Sequence, residues 1–340
     1  MKILVTGSAG FIGGYVVEEL LNQGWEVIGI DNLSKYKAYV EKSYDNHPNY
    51  KFVQGDAKNV SLLKEHLQDC EHMLNLASLI GGISYFNAYP FSIILENEML
   101  LASAFEAALW AYKFKKLKKI TVVSSSMIFE STTRWPSKED DIELISPPKS
   151  VYGFQKLTVH YWCNAAWLQH NLPYTIIIPW NCIGIGETRA KNEKEIKSGS
   201  IVLAMSHVLP DLVQKIYKGQ YPLRIYGSGE QFRHYTYGAD LSKGIVSTLN
   251  NPFALNESFN LSTPTGHSVK ELVLEIWKRI NGNKKLEFLH EDPFDNDVQK
   301  RIPDISKSKN ILHFNATTTL ETALDIILPW IINQIDLGNL

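Results

Sequence analysis

The sequence has little of what metal-binding and nucleic-acid-binding proteins need. Only three cysteines occur among its 340 residues, and Cys70, Cys163 and Cys182 are odd in number and lack metal-ligand spacing. Such a set is typical of a reducing compartment, where disulfides are rare. The formal net charge is −2, which gives no excess of cations for a nucleic acid. We therefore expect no metal and no nucleic-acid partner.

The sequence also lacks the signals that direct a chain to a membrane. No apolar run reaches the ~18 residues that span a bilayer. Apolar strand residues begin at Ile3, which leaves no room for the charged and apolar regions of a signal peptide. Internal repeats and low-complexity tracts are absent too. The expected location is the cytoplasm, with no membrane partner.

What the sequence does contain begins with a strand, a glycine-rich turn and a helix. The apolar run that begins at Lys2 predicts a strand up to the glycine turn, and the apolar period from Phe11 to Leu21 predicts a helix that carries on to Asn22–Gly24, where a glycine closes it. Between them, Gly7 permits a turn that a Cβ would block, and Gly10 lets backbone N–H groups approach a pyrophosphate. Gly13 lets the helix pack closely on the strand. Because the helix N-terminus would face the anion, this turn predicts a dinucleotide site.

An acid follows at the position that such a site requires. The predicted strand Trp25–Asp31 ends 18 residues beyond Gly13, where dinucleotide folds place a carboxylate on a ribose 2′-OH. The simple alternative is a strand–helix–strand unit that binds no dinucleotide and has its aspartate on the surface. That alternative must explain by coincidence both the glycine-rich turn and the acid at the expected spacing. Asp31 would repel a 2′-phosphate, so the expected cofactor is NAD rather than NADP. The expected contacts in this stretch are Gly7, Gly10, Phe11, Ile12, Gly13, Asp31 and Asn32.

Strand and helix patterns then alternate along the chain. The predicted elements are strands over residues 50–56, 71–78 and 119–123 and helices over residues 60–67 and 90–111. This alternation predicts an α/β protein with a Rossmann-type doubly wound parallel sheet. We expect an NAD-binding Rossmann domain over residues 1–182, to which parts of about 228–258 return. Residues 183–340 are expected to form mainly a smaller C-terminal α/β lobe that binds the substrate.

The second half is predicted to mix helices and strands. Helices are expected over residues 206–218, 239–249, 269–280 and 320–332, and strands over residues 223–226, 258–261 and 285–289. Pro329 makes the last turn of the final helix doubtful. Three charged segments receive no chemical role. They are Lys113–Lys119, interpreted as a solvated helix end, Glu139–Asp141, interpreted as a solvated loop, and Glu187–Ser200, interpreted as a loop near the mouth of the site.

A second anchor lies in the middle of the chain. The strand over residues 119–123 ends in Ser124–Ser126, at the edge where open α/β sheets keep their ligands. Tyr152 and Lys156 are four residues apart on a predicted helix, so they share one face. A lysine ammonium beside a phenol lowers the pKa of the phenol, which would make Tyr152 a general base near neutral pH. A surface pair is the simple alternative, and the order of the motifs along the chain argues against it.

Together these motifs resemble the extended short-chain dehydrogenase/reductases, and among them the NAD-dependent nucleotide-sugar epimerase/dehydratase family of carbohydrate biosynthesis. The resemblance spans nearly the whole chain. The matching positions are residues 6–13, Asp31, Asp56, residues 124–126, Tyr152, Lys156, residues 179–184, residues 227–237, Asp240 and residues 301–307.

The resemblance implies a role for each catalytic residue. Tyr152 would be the acid/base at a sugar hydroxyl, and Lys156 would hold the nicotinamide ribose and tune Tyr152. A serine would bind the same hydroxyl. Counting back from Ile128 and Phe129, which replace the usual Val-Tyr, that serine is Ser125, with Ser126 as the one-residue alternative.

The resemblance also implies the binding residues. Asn181 would contact the phosphosugar portion of the substrate. Arg233 and Arg301 would bind the nucleotide diphosphate, for which the planar guanidinium is suited. A surface salt bridge is the simple alternative for either arginine. The remaining implied cofactor contacts are Asp56, Ala57, Leu76, Ala77, Ser78, Tyr152, Lys156 and Pro179, and Ser125, Ser126 and Tyr152 are also expected to touch the substrate.

The expected reaction depends on what stands beside the catalytic serine. Family members first oxidise the sugar, usually at C4, with NAD while the tyrosine accepts a proton. Dehydratases then use an Asp-Glu pair directly after the catalytic hydroxyl residue, and decarboxylases a Glu, whereas this chain has Ser126 and Met127. A 4-epimerase needs no further base, because the keto sugar only rotates and is reduced on its other face. C4 epimerisation is therefore the expected activity.

Other activities remain open at this point, among them a nucleotide-sugar 4,6-dehydratase and a net dehydrogenase. Gly81–Ile83 resembles the glycine loop of GDP-sugar 3,5-epimerases and of the related 4-reductases, but those enzymes carry a cysteine base where this chain has Met127, and a thioether cannot abstract a proton. Cys182 or Glu130 is a weak substitute. A 4-reductase using NADPH conflicts with Asp31. A non-catalytic dinucleotide-binding protein would not need the complete Ser/Tyr/Lys set. Family members pair the two central helices between subunits, so a homodimer is expected.

Overall fold

The structure is a computed structural model that describes residues 1–35, 41–81, 86, 88–187, 208–293 and 298–340. Parts of three predicted segments lie outside the described residues. They are Gly82 and Ile83 of the glycine loop, the mouth loop beyond Glu187, and the first two residues of the predicted helix over 206–218. Within the described ranges no helix is both long and apolar enough to cross a membrane.

The strands are short, and seven of them form one parallel sheet. In chain order they are β1 (Lys2–Thr6), β2 (Glu26–Asp31), β3 (Tyr50–Gln54), β4 (His72–Asn75), β5 (Lys119–Val123), β6 (Tyr174–Pro179), β7 (Cys182–Ile183), β8 (Leu223–Tyr226), β9 (Phe232–Arg233), β10 (Thr236–Tyr237), β11 (Glu257–Leu261), β12 (His267–Ser268) and β13 (Phe288–Glu291). The sheet order is β11-β6-β5-β4-β1-β2-β3, and every neighbouring pair is parallel. The predicted doubly wound Rossmann-type sheet is confirmed.

Helices cover both faces of this sheet. They are α1 (Phe11–Asn22), α2 (Val60–His66), α3 (Pro90–Phe114), α4 (Val151–His170), α5 (Val208–Tyr217), α6 (Gly238–Ser247), α7 (Val269–Asn281), α8 (Ser306–Leu312) and α9 (Leu320–Asp336). One apolar core packs α2, α3 and α4 against the sheet, and a second packs α1, α6 and α8 against the opposite face. Because the strands are parallel, their carboxyl ends meet at one edge.

A third apolar core lies in the second half of the chain. It is built from α5, α7 and α9 with the residues of β8. The short strand pairs β10-β7, β12-β9 and β13-β8 lie outside the large sheet. The predicted helix over 320–332 continues to Asp336 through Pro329, because the proline faces solvent while Ile327, Leu328 and Ile331 on the same helix are buried in this core. Packing therefore outweighs the missing N–H of proline.

Lys119 is buried, and its interpretation as part of a solvated helix end is therefore wrong. Lys119 is only 1% exposed and begins β5. Its Nζ donates to Thr175 Oγ1 at 3.0 Å and to the carbonyl of Thr248 at 2.5 Å. Burial lowers the pKa of Lys119 to about 7. A lysine that enters a sheet interior in this way is held by partners that a local pattern does not contain.

Candidate active site

The glycine-rich turn has the geometry that the sequence predicts. Gly7 lies at φ 74°, and a Cβ there would come within 2.8 Å of the backbone nitrogen of Ala77. A Cβ on Gly13 would lie 2.1 Å from the carbonyl oxygen of Gly7, so only glycine lets α1 approach the turn this closely. Gly10 is the N-cap of α1, with no side-chain cap, and the first turn of α1 holds no acidic residue. The helix N-terminus therefore suits an anion.

Asp31 lies at the end of β2, beside this turn. Its carboxylate accepts the N–H of Ala9 at 3.1 Å and the N–H of Leu33 at 2.8 Å. Burial raises the pKa of Asp31, and the backbone hydrogen bonds oppose that rise. A carboxylate has about four lone-pair sites, so the backbone bonds from Ala9, Gly10 and Leu33 leave capacity for a ribose hydroxyl.

The other predicted cofactor residues follow the carboxyl ends of the parallel strands or lie at them. Leu76 N–H donates to the carbonyl of Thr6 at 3.1 Å, and Ala77 N–H donates to Thr6 Oγ1 at 3.3 Å, which joins the end of β4 to β1. With the glycine turn and Asp31, these residues fit a dinucleotide lying across the switch between β1 and β4. The set at this edge comprises Asn32, Asp56, Ala57, Leu76, Ala77, Ser78 and Pro179.

Lys156 connects α4 to the end of β4. Its Nζ donates to Ser78 Oγ at 3.1 Å and to the carbonyl of Val123 at 3.4 Å. Ser78 in turn donates to Asn97 Oδ1 at 3.0 Å. Burial lowers the pKa of Lys156 to about 8, and the charge of Glu98 opposes this change. The ammonium form therefore predominates at neutral pH.

Tyr152 is buried, with 4% of its surface exposed, and its ring stacks on Phe86 with centroids 4.2 Å apart. Burial raises its pKa to about 12, whereas a hydrogen bond with Ser125 and the charge of Arg301 lower it. Lys156 Nζ lies 5.8 Å from the centre of the Tyr152 ring. The prediction that the phenol has a lowered pKa is therefore wrong for this structure, because burial dominates and Ser125 and Arg301 oppose it.

The three serines after β5 have different partners. Ser125 Oγ accepts the N–H of Met127 at 3.2 Å, and Ser125 is the serine whose side-chain hydrogen bonding lowers the pKa of Tyr152. Ser124 is buried and donates to the carbonyl of Lys156 at 2.9 Å, so it holds the backbone of α4. Ser126 is buried at the start of a short 3-10 turn. The arrangement favours Ser125 over Ser126 as the serine that shares a substrate hydroxyl with Tyr152.

None of the three residues Met127, Glu130 and Cys182 is suited to act as a further base. Met127 is buried in an apolar cluster with Tyr152. Glu130 accepts both the N–H and the O–H of Ser150, the O–H at 2.6 Å, so its two oxygens cap the start of α4. Burial raises the pKa of the Cys182 thiol well above its ordinary value. No cluster of three or more potential metal ligands occurs in the described ranges either.

The two predicted arginines lie on paired segments. Arg233 is the last residue of β9. The N–H of Arg301 donates to the carbonyl of Phe232, the residue before Arg233, at 3.1 Å. Asn181 has a positive φ of 34° just before β7, and its carbonyl accepts the N–H of Thr236 at 3.1 Å. The structure thus brings Arg233, Arg301 and Asn181 to one region, although they are far apart in sequence.

A hydrogen-bonded hub holds the Arg301 segment against the sheet. The N–H of Asn260 in β11 donates to Glu139 Oε1 at 2.8 Å. Its side-chain amide donates to the carbonyls of Ser137 and Asp304, both at 3.0 Å. Glu139 is 4% exposed, so its interpretation as part of a solvated loop is wrong. Asp304 lies three residues beyond Arg301, and the hub therefore fixes the approach of that arginine.

Sequence reasoning missed Phe86 and Glu98. Glu98, on α3, accepts hydrogen bonds from three residues of α4: Trp162 Nε1 at 2.9 Å, Gln155 Nε2 at 3.4 Å and Thr158 Oγ1. The sequence feature that could have revealed Glu98 is its spacing from Leu101, which places an acid on the apolar face of the predicted helix. Phe86 has no comparable signal, because an aromatic residue in a connecting segment does not reveal which ring it will stack on.

Comparisons with known proteins agree with this arrangement. The model of the NAD dependent epimerase/dehydratase family matches residues 3–262. The chain is 28% identical over 343 residues to YtcB of Bacillus subtilis, described as an uncharacterized UDP-glucose epimerase, with 95% of this chain and 96% of that relative covered. It is 25% identical over 338 residues to a UDP-N-acetyl-alpha-D-glucosaminuronate decarboxylase of Bacillus cytotoxicus, with 97% of each chain covered.

Among solved structures, the chain is similar to the UDP-glucuronic acid 4-epimerase of Bacillus cereus in complex with UDP-glucuronic acid and NAD. The TM-score is 0.81 at 24% sequence identity, with 98% of this chain and 99% of that chain covered. At this identity the likeness shows the fold. The seven-strand sheet and its helical layers are therefore shared along nearly the full length of both chains.

Proposed function

The chain belongs to the NAD dependent epimerase/dehydratase family, and from this premise we propose that it is a nucleotide-sugar epimerase that inverts C4 through a 4-keto intermediate. It is an enzyme whose cofactor is NAD. The names of its relatives specify UDP-sugars, and we infer a nucleoside-diphosphate sugar as the substrate of this chain.

The residues around Tyr152 supply the proton chemistry that this reaction needs. Bound NAD supplies the electron-pair acceptor and donor beside the sugar carbon. Tyr152 takes the hydroxyl proton when the C–OH group becomes a carbonyl and returns it when the carbonyl is reduced. Ser125 hydrogen-bonds Tyr152 and would hold the same sugar oxygen. The charge of Arg301 favours the phenolate and offsets part of the effect of burial on the pKa of Tyr152.

The observation that carries the proposal is the apolar wall beside Tyr152. Met127 packs against the catalytic ring at the position where related reactions need a carboxylate or a thiol. Glu130 caps α4 instead of filling that role. In the described part of the chain, Tyr152 thus has no carboxylate partner for elimination, decarboxylation or C3/C5 proton exchange. Inversion at C4 needs one acid/base group and rotation of the keto sugar between two faces.

The experiment is a substrate panel followed by proton NMR. Purified protein is incubated with nucleotide hexoses, pentoses and uronic acids without added NAD. A C4 epimer is the expected product, because the cofactor is reoxidised in every turnover. Accumulation of reduced cofactor on addition of NAD, release of carbon dioxide, or solvent exchange at C3 or C5 would each refute C4 epimerisation in favour of another reaction.

A tyrosine variant tests the assignment of the acid/base group. Tyr152→Phe removes the hydroxyl and keeps the stacked ring, so we expect kcat to fall by about 10²- to 10⁴-fold with NAD binding retained. The matched control is Tyr217→Phe, which removes a surface hydroxyl that donates to Asp336 at 3.2 Å. Wild-type turnover by Tyr152→Phe would exclude the proposed mechanism.

We also propose a homodimer formed through α3 and α4. These helices pack on each other, and both present large apolar side chains to solvent at helical spacing. A second copy would cover both stripes at once, as the four-helix interface of family members implies. Light scattering should give twice the chain mass, and a monomer at micromolar concentration would contradict the proposal. The exposed residues are Phe91, Leu95 and Met99 on α3 and Phe154, Tyr161 and Leu168 on α4.

A further inference from the structure

A buried tyrosine hydroxyl lies beside the arginine pair. Tyr235 follows Arg233 by two residues, and only 2% of its surface is exposed. Its ring packs in the apolar core formed by α5, α7 and α9. Among the described residues its hydroxyl has no hydrogen-bond partner. Buried hydroxyls are nearly always hydrogen-bonded, so this one is available as a hydrogen-bonding group for a bound ligand.

The local backbone turns Tyr235 to the same side as Arg233. His234 Nδ1 lies 2.9 Å from the carbonyl of Thr263, and the hydroxyl of Thr236 accepts the N–H of Thr263 at 3.0 Å. His234 and Thr236 therefore face the segment that holds Thr263. Successive side chains of an extended chain point to opposite sides, which places Arg233 and Tyr235 together on the other side.

Arg301 reaches the same place from the paired segment. The N–H of Phe232 donates to the carbonyl of Gln299 at 2.8 Å, and the N–H of Arg301 donates back to Phe232. Burial raises the pKa of Tyr235 to about 12, and the charges of Arg233 and Arg301 oppose that rise. Both guanidinium groups are thus close enough to act on the hydroxyl of Tyr235.

Two further observations relate this niche to the catalytic tyrosine. The positive charge of Arg301 lowers the pKa of Tyr152 as well as the pKa of Tyr235. Asn181 is joined to the residue after Tyr235, because its carbonyl accepts the N–H of Thr236, and its buried Oδ1 has no partner within the described ranges. A second unsatisfied polar atom therefore belongs to the segment that is hydrogen-bonded to the chain directly after Tyr235.

We propose that the hydroxyl of Tyr235 donates a hydrogen bond to the phosphate group next to the sugar, so that Tyr235 joins Arg233 and Arg301 in binding the diphosphate. The inference rests on the proposed function, since the ligand is a nucleoside-diphosphate sugar. A phenol suits this place because it adds a directional donor without a third cation. Tyr235 is a positioning residue: by holding the sugar-proximal phosphate, it sets where the sugar lies against Tyr152.

Calorimetric titration separates this contact from a structural role. UDP, GDP, dTDP, UMP and inorganic pyrophosphate are titrated into wild type, Tyr235→Phe and the surface control Tyr217→Phe. We expect Tyr235→Phe to bind the preferred nucleoside diphosphate and pyrophosphate about 10- to 100-fold more weakly, the loss of one hydrogen bond to a charged group. Binding of UMP, which lacks the second phosphate, should change by less than about twofold.

Thermal unfolding supplies the second readout. The hydroxyl has no partner among the residues that the structure describes, so unliganded Tyr235→Phe should melt at the wild-type temperature or above it. A lower melting temperature with unchanged diphosphate affinity would assign the hydroxyl to the fold and overturn the inference. Equal losses for UMP and UDP, or no wild-type binding of any diphosphate or of pyrophosphate, would also overturn it. Diphosphate binding that depends on Tyr235 in a protein that epimerises no sugar would refute the proposed function alone.

Discussion

The helix that carries Tyr152 begins at a carboxylate, and this contact gives a sharp test. Ser150 is the N-cap of α4, and its hydroxyl accepts the N–H of Gly153 at 2.9 Å. The same hydroxyl donates to Glu130 Oε2 at 2.6 Å, while the N–H of Ser150 donates to Oε1. Glu130 thus fixes the first turn of α4, where Tyr152 is the second residue. We predict that Glu130 acts by positioning this turn and transfers no proton to the substrate.

Glu130→Gln and Glu130→Ala should lower the free energy of unfolding by different amounts. Glu130→Gln keeps one acceptor oxygen and the side-chain length, so we expect the free energy of unfolding to fall by about 1–2 kcal/mol. Glu130→Ala leaves both donors of Ser150 without this partner and should cost about 2–4 kcal/mol. Because Glu130→Gln keeps the cap, kcat should fall by less than about tenfold, whereas loss of a general base costs about 10²- to 10⁴-fold.

Steady-state kinetics across pH, together with denaturant unfolding, distinguish the two roles. The control is Glu143→Gln, an exposed acid in the segment before α4. If Glu130 acts as a helix cap, the pH profile of Glu130→Gln keeps the wild-type shape. In that case kcat decreases together with stability, from wild type to Glu130→Gln to Glu130→Ala. A fully folded Glu130→Gln that loses more than about 10²-fold in kcat, together with one limb of the profile, would show that Glu130 is a proton-transfer group.

Three further predictions follow from charged groups. The pKa of Lys119 is about 7 in the folded protein and about 10.4 when unfolded, so the unfolded chain binds more protons above pH 7 and stability rises with pH. From pH 7 to 9 the wild type should gain about 2 kcal/mol of unfolding free energy over Lys119→Met, and parallel stability curves would refute this. Burial lowers the pKa of Lys156 to about 8, and the charge of Glu98 opposes that decrease. Glu98→Gln should therefore move the alkaline limb of the kcat/KM profile to lower pH. An unmoved limb would exclude an effect of Glu98 on the pKa of Lys156. Asp31→Asn removes a charge that repels a 2′-phosphate, and the NADP-to-NAD affinity ratio should rise by at least about tenfold; an unchanged ratio in a binding titration would contradict it.

The parts of the fold that the sequence predicts are those with local causes. The strand, turn and helix over residues 2–22 follow from period, glycine positions and a helix N-terminus, all within one short segment. Gly7 and Gly13 are required for the reasons that the pattern gives, since a Cβ at either would collide with backbone. The alternation of strands and helices also predicts the parallel sheet, because crossover connections allow few other arrangements.

The errors lie where distant partners decide the environment of a charged side chain. Lys119 resembles its solvated basic neighbours in sequence, but Thr175, which binds it, is 56 residues away. Glu139 resembles a loop acid, yet its partner Asn260 is 121 residues away. A pattern of charged residues does not show how deeply each side chain is buried. Burial determines whether water or other protein groups satisfy the charge.

The predicted tuning of Tyr152 failed for a related reason, and the correction links the two halves of the site. The sequence places Lys156 one helical turn from Tyr152, but Lys156 donates to Ser78 and the phenol is influenced by Arg301 instead. The Arg301 segment is held by the bond of its N–H to Phe232 and by the hub centred on Asn260, which binds Asp304 to β11. One guanidinium therefore acts on the catalytic phenol and lies in the predicted diphosphate site. From the proposed roles of Arg301 and Tyr152 we therefore expect both substrate binding and proton transfer to require docking of the C-terminal segment on the sheet.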